Sequence, residues 1–173
     1  MNLYKHHSAP DQLKLFVEAK HHVPELIWEK YKDSPEIKKY KDVLAKDPKY
    51  SYKYASHVVK GRFSEGEKAI ATSAQYSHWY AEEVIKGRWP EGEQVIATSA
   101  LYSSVYAEYV IKGRFPEGEQ VIATDAPMSF AYALNIIGGR FPEGEKVMLL
   151  NPTYRQRYSE FIKVKELNFN NHV

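Results

Sequence analysis

Between residues 47 and 150 the apolar positions repeat on two scales. Within stretches of about a dozen residues they fall three and four apart, which predicts helices. The whole pattern then returns every 26 residues: DPKYSYKYASHVVKGRFSEGEKAIAT (47–72), SAQYSHWYAEEVIKGRWPEGEQVIAT (73–98), SALYSSVYAEYVIKGRFPEGEQVIAT (99–124) and DAPMSFAYALNIIGGRFPEGEKVMLL (125–150). A fifth unit starts at Asn151 and covers only the first half, to Lys165. A fixed period in this range marks an array in which each unit buries its apolar face on its neighbours.

Each unit reads as two helices. Asp47, Ser73, Ser99, Asp125 and Asn151 open the first, as residues whose side chains accept orphan backbone N–H groups. Lys60-Gly61, Lys86-Gly87 and Lys112-Gly113 close it: a cation beside the negative helix end, then a glycine able to take the left-handed stop. Pro90-Glu91, Pro116-Glu117 and Pro142-Glu143 start a shorter second helix, which closes at Thr72, Thr98 or Thr124 where the next cap begins. The predicted fold class is all-α, an α-solenoid of short antiparallel helix pairs. Residues 1–46 predict three helices (10–22, 24–31 and 35–46) acting as a helical N-terminal capping region, followed by the repeats at 47–165 and a tail at 166–173.

On a wheel of 100° per residue, the nearly constant positions of the first helix share one arc: Ser51/Ser77/Ser103/Ser129, Tyr54/Tyr80/Tyr106/Tyr132/Tyr158, Ala55/Ala81/Ala107/Ala133 and the Val/Ile rows at 58/84/110 and 59/85/111/137. Stacking explains them, with Val and Ile as the buried ridge. The freely varying positions fall on the opposite arc and are expected to face solvent or a partner. They include Tyr52/His78/Phe130, Lys53/Trp79/Val105, Glu82/Glu108 and Glu83/Tyr109.

The chain has 173 residues, no cysteine and a net charge of +2. Disulfides and cysteine-based sites are therefore excluded, and no strong global field captures nucleic acid. No apolar run approaches a membrane span, and the first residues lack an apolar signal core, so a cytoplasmic location is expected.

Four constellations carry candidate chemistry. His6-His7 and His21-His22 are neighbours that do not share a helix face, so no metal or other cofactor is expected. Arg62, Arg88, Arg114 and Arg140 could match evenly spaced phosphates. Yet eight glutamates lie in the same segments, and residues 47–150 hold 11 basic against 13 acidic residues. Structural pairing with Glu67, Glu93, Glu119 and Glu145, as a clamp between units, is the expectation. Catalytic carboxylates come as one distinctive pair, not as four copies at helix starts, so the chain is not expected to be an enzyme. The aromatics of the variable arc are the remaining signal. Tyr52, Trp79, Tyr109 and Phe130, with Lys53, His78, Glu82, Glu83, Val105 and Glu108, form the expected partner-binding set.

The unit YAxxVIKGRFPEGExVIAT resembles a tandem helical repeat of uncharacterised proteins of tailed bacteriophages and other viruses, over 47–150 fully and 151–165 in part. The resemblance implies a viral accessory protein that binds and inhibits a host protein such as a defence factor, in the host cytoplasm. Two other classes stand beside a protein-binding solenoid. One is nucleic-acid or nucleotide binding through the basic ends, where residues 1–46 hold 9 basic and 7 acidic residues and 151–173 hold 4 and 2. The other is a structural protein that self-associates end to end. No membrane partner is expected.

Overall fold

The computed structural model describes residues 23–170. The predicted helix at 10–22 and the four histidines at 6, 7, 21 and 22 lie outside the described residues. Those described are all-α, with no strand among them, and no helix is long and apolar enough to cross a membrane. The chain divides into two compact units, Met1–Ala69 and Ile70–Val173, so the first repeat groups with the N-terminal region.

In the first unit, α1 (Val23–Tyr31) buries Val23, Ile27 and Trp28. The segment predicted as one helix from Pro35 splits into a 3₁₀ stretch, Pro35–Tyr40, and α2 (Lys41–Leu44). Ser34 caps it by accepting the Glu36 N–H at 3.3 Å. The first repeat follows as α3 (Pro48–Lys53), a π segment (Tyr54–Val59) and α4 (Ser64–Ile70). The Trp28 ring lies 6.3 Å from Tyr50 and 5.8 Å from His57. Lys41 meets Glu65 at 3.0 Å. These contacts explain why this repeat groups with what precedes it.

The second unit stacks three repeats in order as an α-solenoid. Its helices are α5 (Ala74–Trp79) with α6 (Pro90–Ile96), α7 (Ala100–Val105) with α8 (Pro116–Ile122), and α9 (Ala126–Tyr132) with α10 (Pro142–Leu150), followed by α11 (Pro152–Asn170). Each first helix packs on the second helix of its own repeat and on the first helix of the next. Asp125 caps α9 by accepting the Met128 N–H at 2.9 Å, and Ser99 caps α7 through Tyr102 at 3.4 Å. The row of buried serines does more than allow close approach. Ser77, Ser103 and Ser129 donate to the Ile70, Ile96 and Ile122 carbonyls at 2.9, 2.9 and 2.8 Å, satisfying the last turn of the preceding second helix.

The wheel fails in the second half of each first helix, because that half is not α-helical. Tyr80–Ile85, Tyr106–Ile111 and Ala133–Ile137 are π segments, with a wider turn that rotates later side chains out of register. The Val/Ile rows are consequently half-buried, and Val59 is 43% exposed. The fully buried set is instead the Tyr–Ala pair, the aromatic of the Gly-Arg-aromatic triplet, and Ile70, Ile96, Ile122 or Met148. Trp89 stands where the other repeats have Phe, and its buried indole N–H has no hydrogen-bond partner among the described residues. The π segment accompanies the stop signal. In α11, Tyr158 holds the same repeat position, but Val164-Lys165 replaces Lys-Gly, and the helix continues without a π segment through the expected tail to Asn170.

The stop itself differs from expectation. Lys60, Lys86 and Lys112, not the glycines after them, take the left-handed conformation, with φ of 55°, 60° and 58°. The fourth repeat has Gly138 at that position, at φ 68°. A left-handed L-residue costs about 1–2 kcal/mol, and glycine loses about 0.5–1 kcal/mol of that advantage to unfolded-chain entropy. Lys112→Gly should therefore stabilise the protein by ~0.5–1 kcal/mol in chemical denaturation. A loss of stability would show that the lysine side chain supplies an interaction of its own.

Candidate functional site

The Arg–Glu pairs form, but within each repeat. Arg88 donates from Nε and Nη2 to both carboxylate oxygens of Glu93 at 2.7 Å, and Arg114 does the same to Glu119 at 2.6 Å. Arg62–Glu67 and Arg140–Glu145 repeat the geometry at 2.7–2.8 Å. The expected direct clamp between units is thus corrected: tyrosine makes the crossing. The Tyr106 hydroxyl donates to Glu93 at 2.8 Å and accepts the Trp89 N–H at 2.9 Å. Tyr132 joins Glu119 and Phe115 in the same way, both at 2.8 Å, and Tyr158 joins Glu145 and Phe141 at 2.8 and 3.1 Å. These hydroxyls are buried. Arginine holds Glu93, Glu119 and Glu145 below the usual carboxylate range, while burial pushes Tyr106 and Tyr132 well above the usual phenol range. All four arginines of the row place Nε and Nη2 on the glutamate of their own repeat, while their side chains stay 50–63% exposed.

The expected partner-binding residues separate into groups. Tyr52 and His78 are buried, contrary to expectation. Phe130 is half-buried, with its ring 5.8 Å from Tyr154 and 6.4 Å from Phe161 in the next repeat. His78 lies 6.1 Å from Tyr102 and 6.4 Å from Tyr106. This row lies inside the stack, so the buried arc of an array helix is wider than half a turn. Lys53 lies over the Trp28 and Tyr50 rings at 5.3 and 5.5 Å, within the first unit. Glu83 is exposed, and Glu108 accepts from the Asn135 amide at 3.2 Å.

Five of the expected residues come together. His78, Trp79 and Glu82 on one first helix, with Val105 and Tyr109 on the next, line an open groove of about 260 Å³ completed by Leu101 and Tyr102. Leu101 is 47% and Tyr109 54% exposed. Leu101 was missed, although its column varies as freely as any (Lys49, Gln75, Leu101, Pro127). The lining changes one repeat on, where Asn135 replaces Tyr109 and bridges back to Glu108, and Ala131 replaces Val105.

His78 supports the wall of the groove. Its Nε2 is 3.3 Å from Glu82, while its buried Nδ1 has no hydrogen-bond partner among the described residues. Burial lowers its pKa below the ordinary 6.5 despite the pull of Glu82 and Glu83. The folded state therefore binds fewer protons than the unfolded chain. This contribution to stability is complete above pH 6.5 and is lost as pH falls through the lowered folded value. Urea midpoints at about pH 7.5 and 5.5 should fall more for the wild type than for His78→Phe, which copies the fourth repeat. Equal slopes would place His78 outside the buried stack.

Comparison with protein-family models, with curated proteins and with solved structures returned no match.

Proposed function

We propose that the chain is a non-catalytic protein-binding repeat protein whose recognition surface is the groove between the second and third repeats. The observation that carries this reading is the convergence at one groove of five residues chosen for their freedom to vary between repeats. Exposed aromatic and aliphatic side chains around a concavity are what a protein interface uses as anchors. The groups held furthest from their ordinary pKa in the second unit belong to the repeated Arg–Glu–Tyr links, which gives them a structural role. With the arginine row engaged by glutamate, nucleic-acid binding falls behind. In the role its resemblance implies, the protein is a viral accessory factor that occupies and inhibits a host protein in the cytoplasm.

The test is capture of a partner from host lysate, identification by mass spectrometry, and hydrogen exchange of the purified complex. Protection over 76–83 and 101–109, with the second helices unchanged, supports the groove. Protection confined to the second helices or to residues 1–46 refutes it.

A second reading rests on the C-terminal end. Leu149, Leu150, Val164 and Leu167, on the last two helices described, are 43–69% exposed. They favour end-to-end association, which concentration-dependent light scattering would detect and Leu150→Lys should reduce.

A further inference from the structure

We propose that the groove accepts one cationic side chain, arginine or lysine, of a protein partner; this rests on the recognition reading above and names its chemistry. The lining combines three aromatic rings (Trp79, Tyr102, Tyr109), two aliphatic side chains (Leu101, Val105) and the Glu82 carboxylate. That set matches the two halves of a long basic residue. Its methylene stem covers apolar surface, and its charged head gains from aromatic rings within about 6 Å.

Charge decides against the other occupants. Among the described residues Glu82 has no lysine or arginine partner, and its one contact is His78, which burial keeps neutral. Among the described residues Glu108 is met by the neutral Asn135 amide and by no lysine or arginine. Residues 73–124 hold seven acidic and four basic residues, and two of the four, Arg88 and Arg114, are committed to Glu93 and Glu119. A purely apolar occupant would cover Glu82, whose side chain is 40% exposed, and leave a desolvated charge without a counterion. An anionic occupant would meet that carboxylate directly. A cation removes the penalty and uses the rings, and a groove of about 260 Å³ is large enough for one such side chain.

The probe is a blocked Gly-Arg-Gly tripeptide titrated into the ¹⁵N-labelled full chain, with the citrulline tripeptide as a neutral isostere. The arginine peptide should shift the Trp79 indole N–H and the amides of 76–83 and 101–109, with millimolar affinity that weakens in high salt. The citrulline peptide and the Glu82→Gln variant should each bind at least about five-fold more weakly. Glu82 is at the surface, and an unchanged amide spectrum elsewhere verifies that the variant folds. Equal binding of the citrulline peptide, unchanged affinity in Glu82→Gln, or shifts located away from the groove would each overturn the proposal. Loss of a captured partner in Trp79→Ala without any response to the arginine peptide overturns the cation assignment alone and leaves the recognition reading in place.

Discussion

Gly118→Ala is expected to destabilise the protein by about 3 kcal/mol, as judged by urea denaturation, with Gly92→Ala and Gly144→Ala behaving alike. A Cβ at Gly118 would sit 2.6 Å from the Phe115 ring and 2.6 Å from both Cβ and Oγ of Ser103. Those atoms belong to the ring that fills the repeat and to the serine that caps the preceding second helix. Neither can retreat, since Phe115 and Ser103 are both fully buried. The glycine is needed here for the space it leaves: its backbone is helical and no special conformation is involved. A change below about 0.5 kcal/mol would mean that the helices of a repeat are packed less closely than described.

Tyr132→Phe should cost about 2–4 kcal/mol although it removes a single oxygen. That oxygen accepts the Phe115 N–H and donates to Glu119, so its loss orphans a buried backbone donor and removes one of the bonds holding a partly buried carboxylate. Because the tyrosine and its two partners belong to adjacent repeats, the variant should also weaken cooperation between them and broaden the transition. The Glu119 carboxylate, held below its usual range by Arg114 and the tyrosine, makes this part of the stability sensitive to acid. Its contribution is present above its unfolded pKa and is lost as pH falls through the lowered folded value. A Tyr132→Phe variant with wild-type stability and transition width would remove tyrosine from the link between repeats.

Much of this was legible in the sequence and some was not. The 26-residue period, the capping residues at 99 and 125, and the Gly-Arg-aromatic triplets located the helix pairs, because a packed array imposes the same constraints at every step. The π segments were hidden, since a wheel presumes one pitch and the stop at Lys112 is built with another. The Tyr132–Glu119 bond joins residues 13 apart on different repeats, a distance at which neither helical nor strand spacing gives a signal. At the groove, variation between repeats located Trp79, Val105 and Tyr109 but also selected His78 and Phe130, which vary inside the stack. Variation between repeats is therefore no measure of exposure, since His78 packs on Tyr102 and Tyr106 of near-constant columns and is buried all the same.

Recognition at the groove is tested most directly by one affinity measurement. Calorimetric titration of the captured partner should compare the wild type, Trp79→Ala, Tyr109→Ala, and a control bearing Gln94→Ala and Gln120→Ala on the exposed surface of the second helices. Each groove variant should bind about 30-fold more weakly, equivalent to ~2 kcal/mol, while the control keeps wild-type affinity. Wild-type affinity in a folded Trp79→Ala/Tyr109→Ala double variant would contradict the claim.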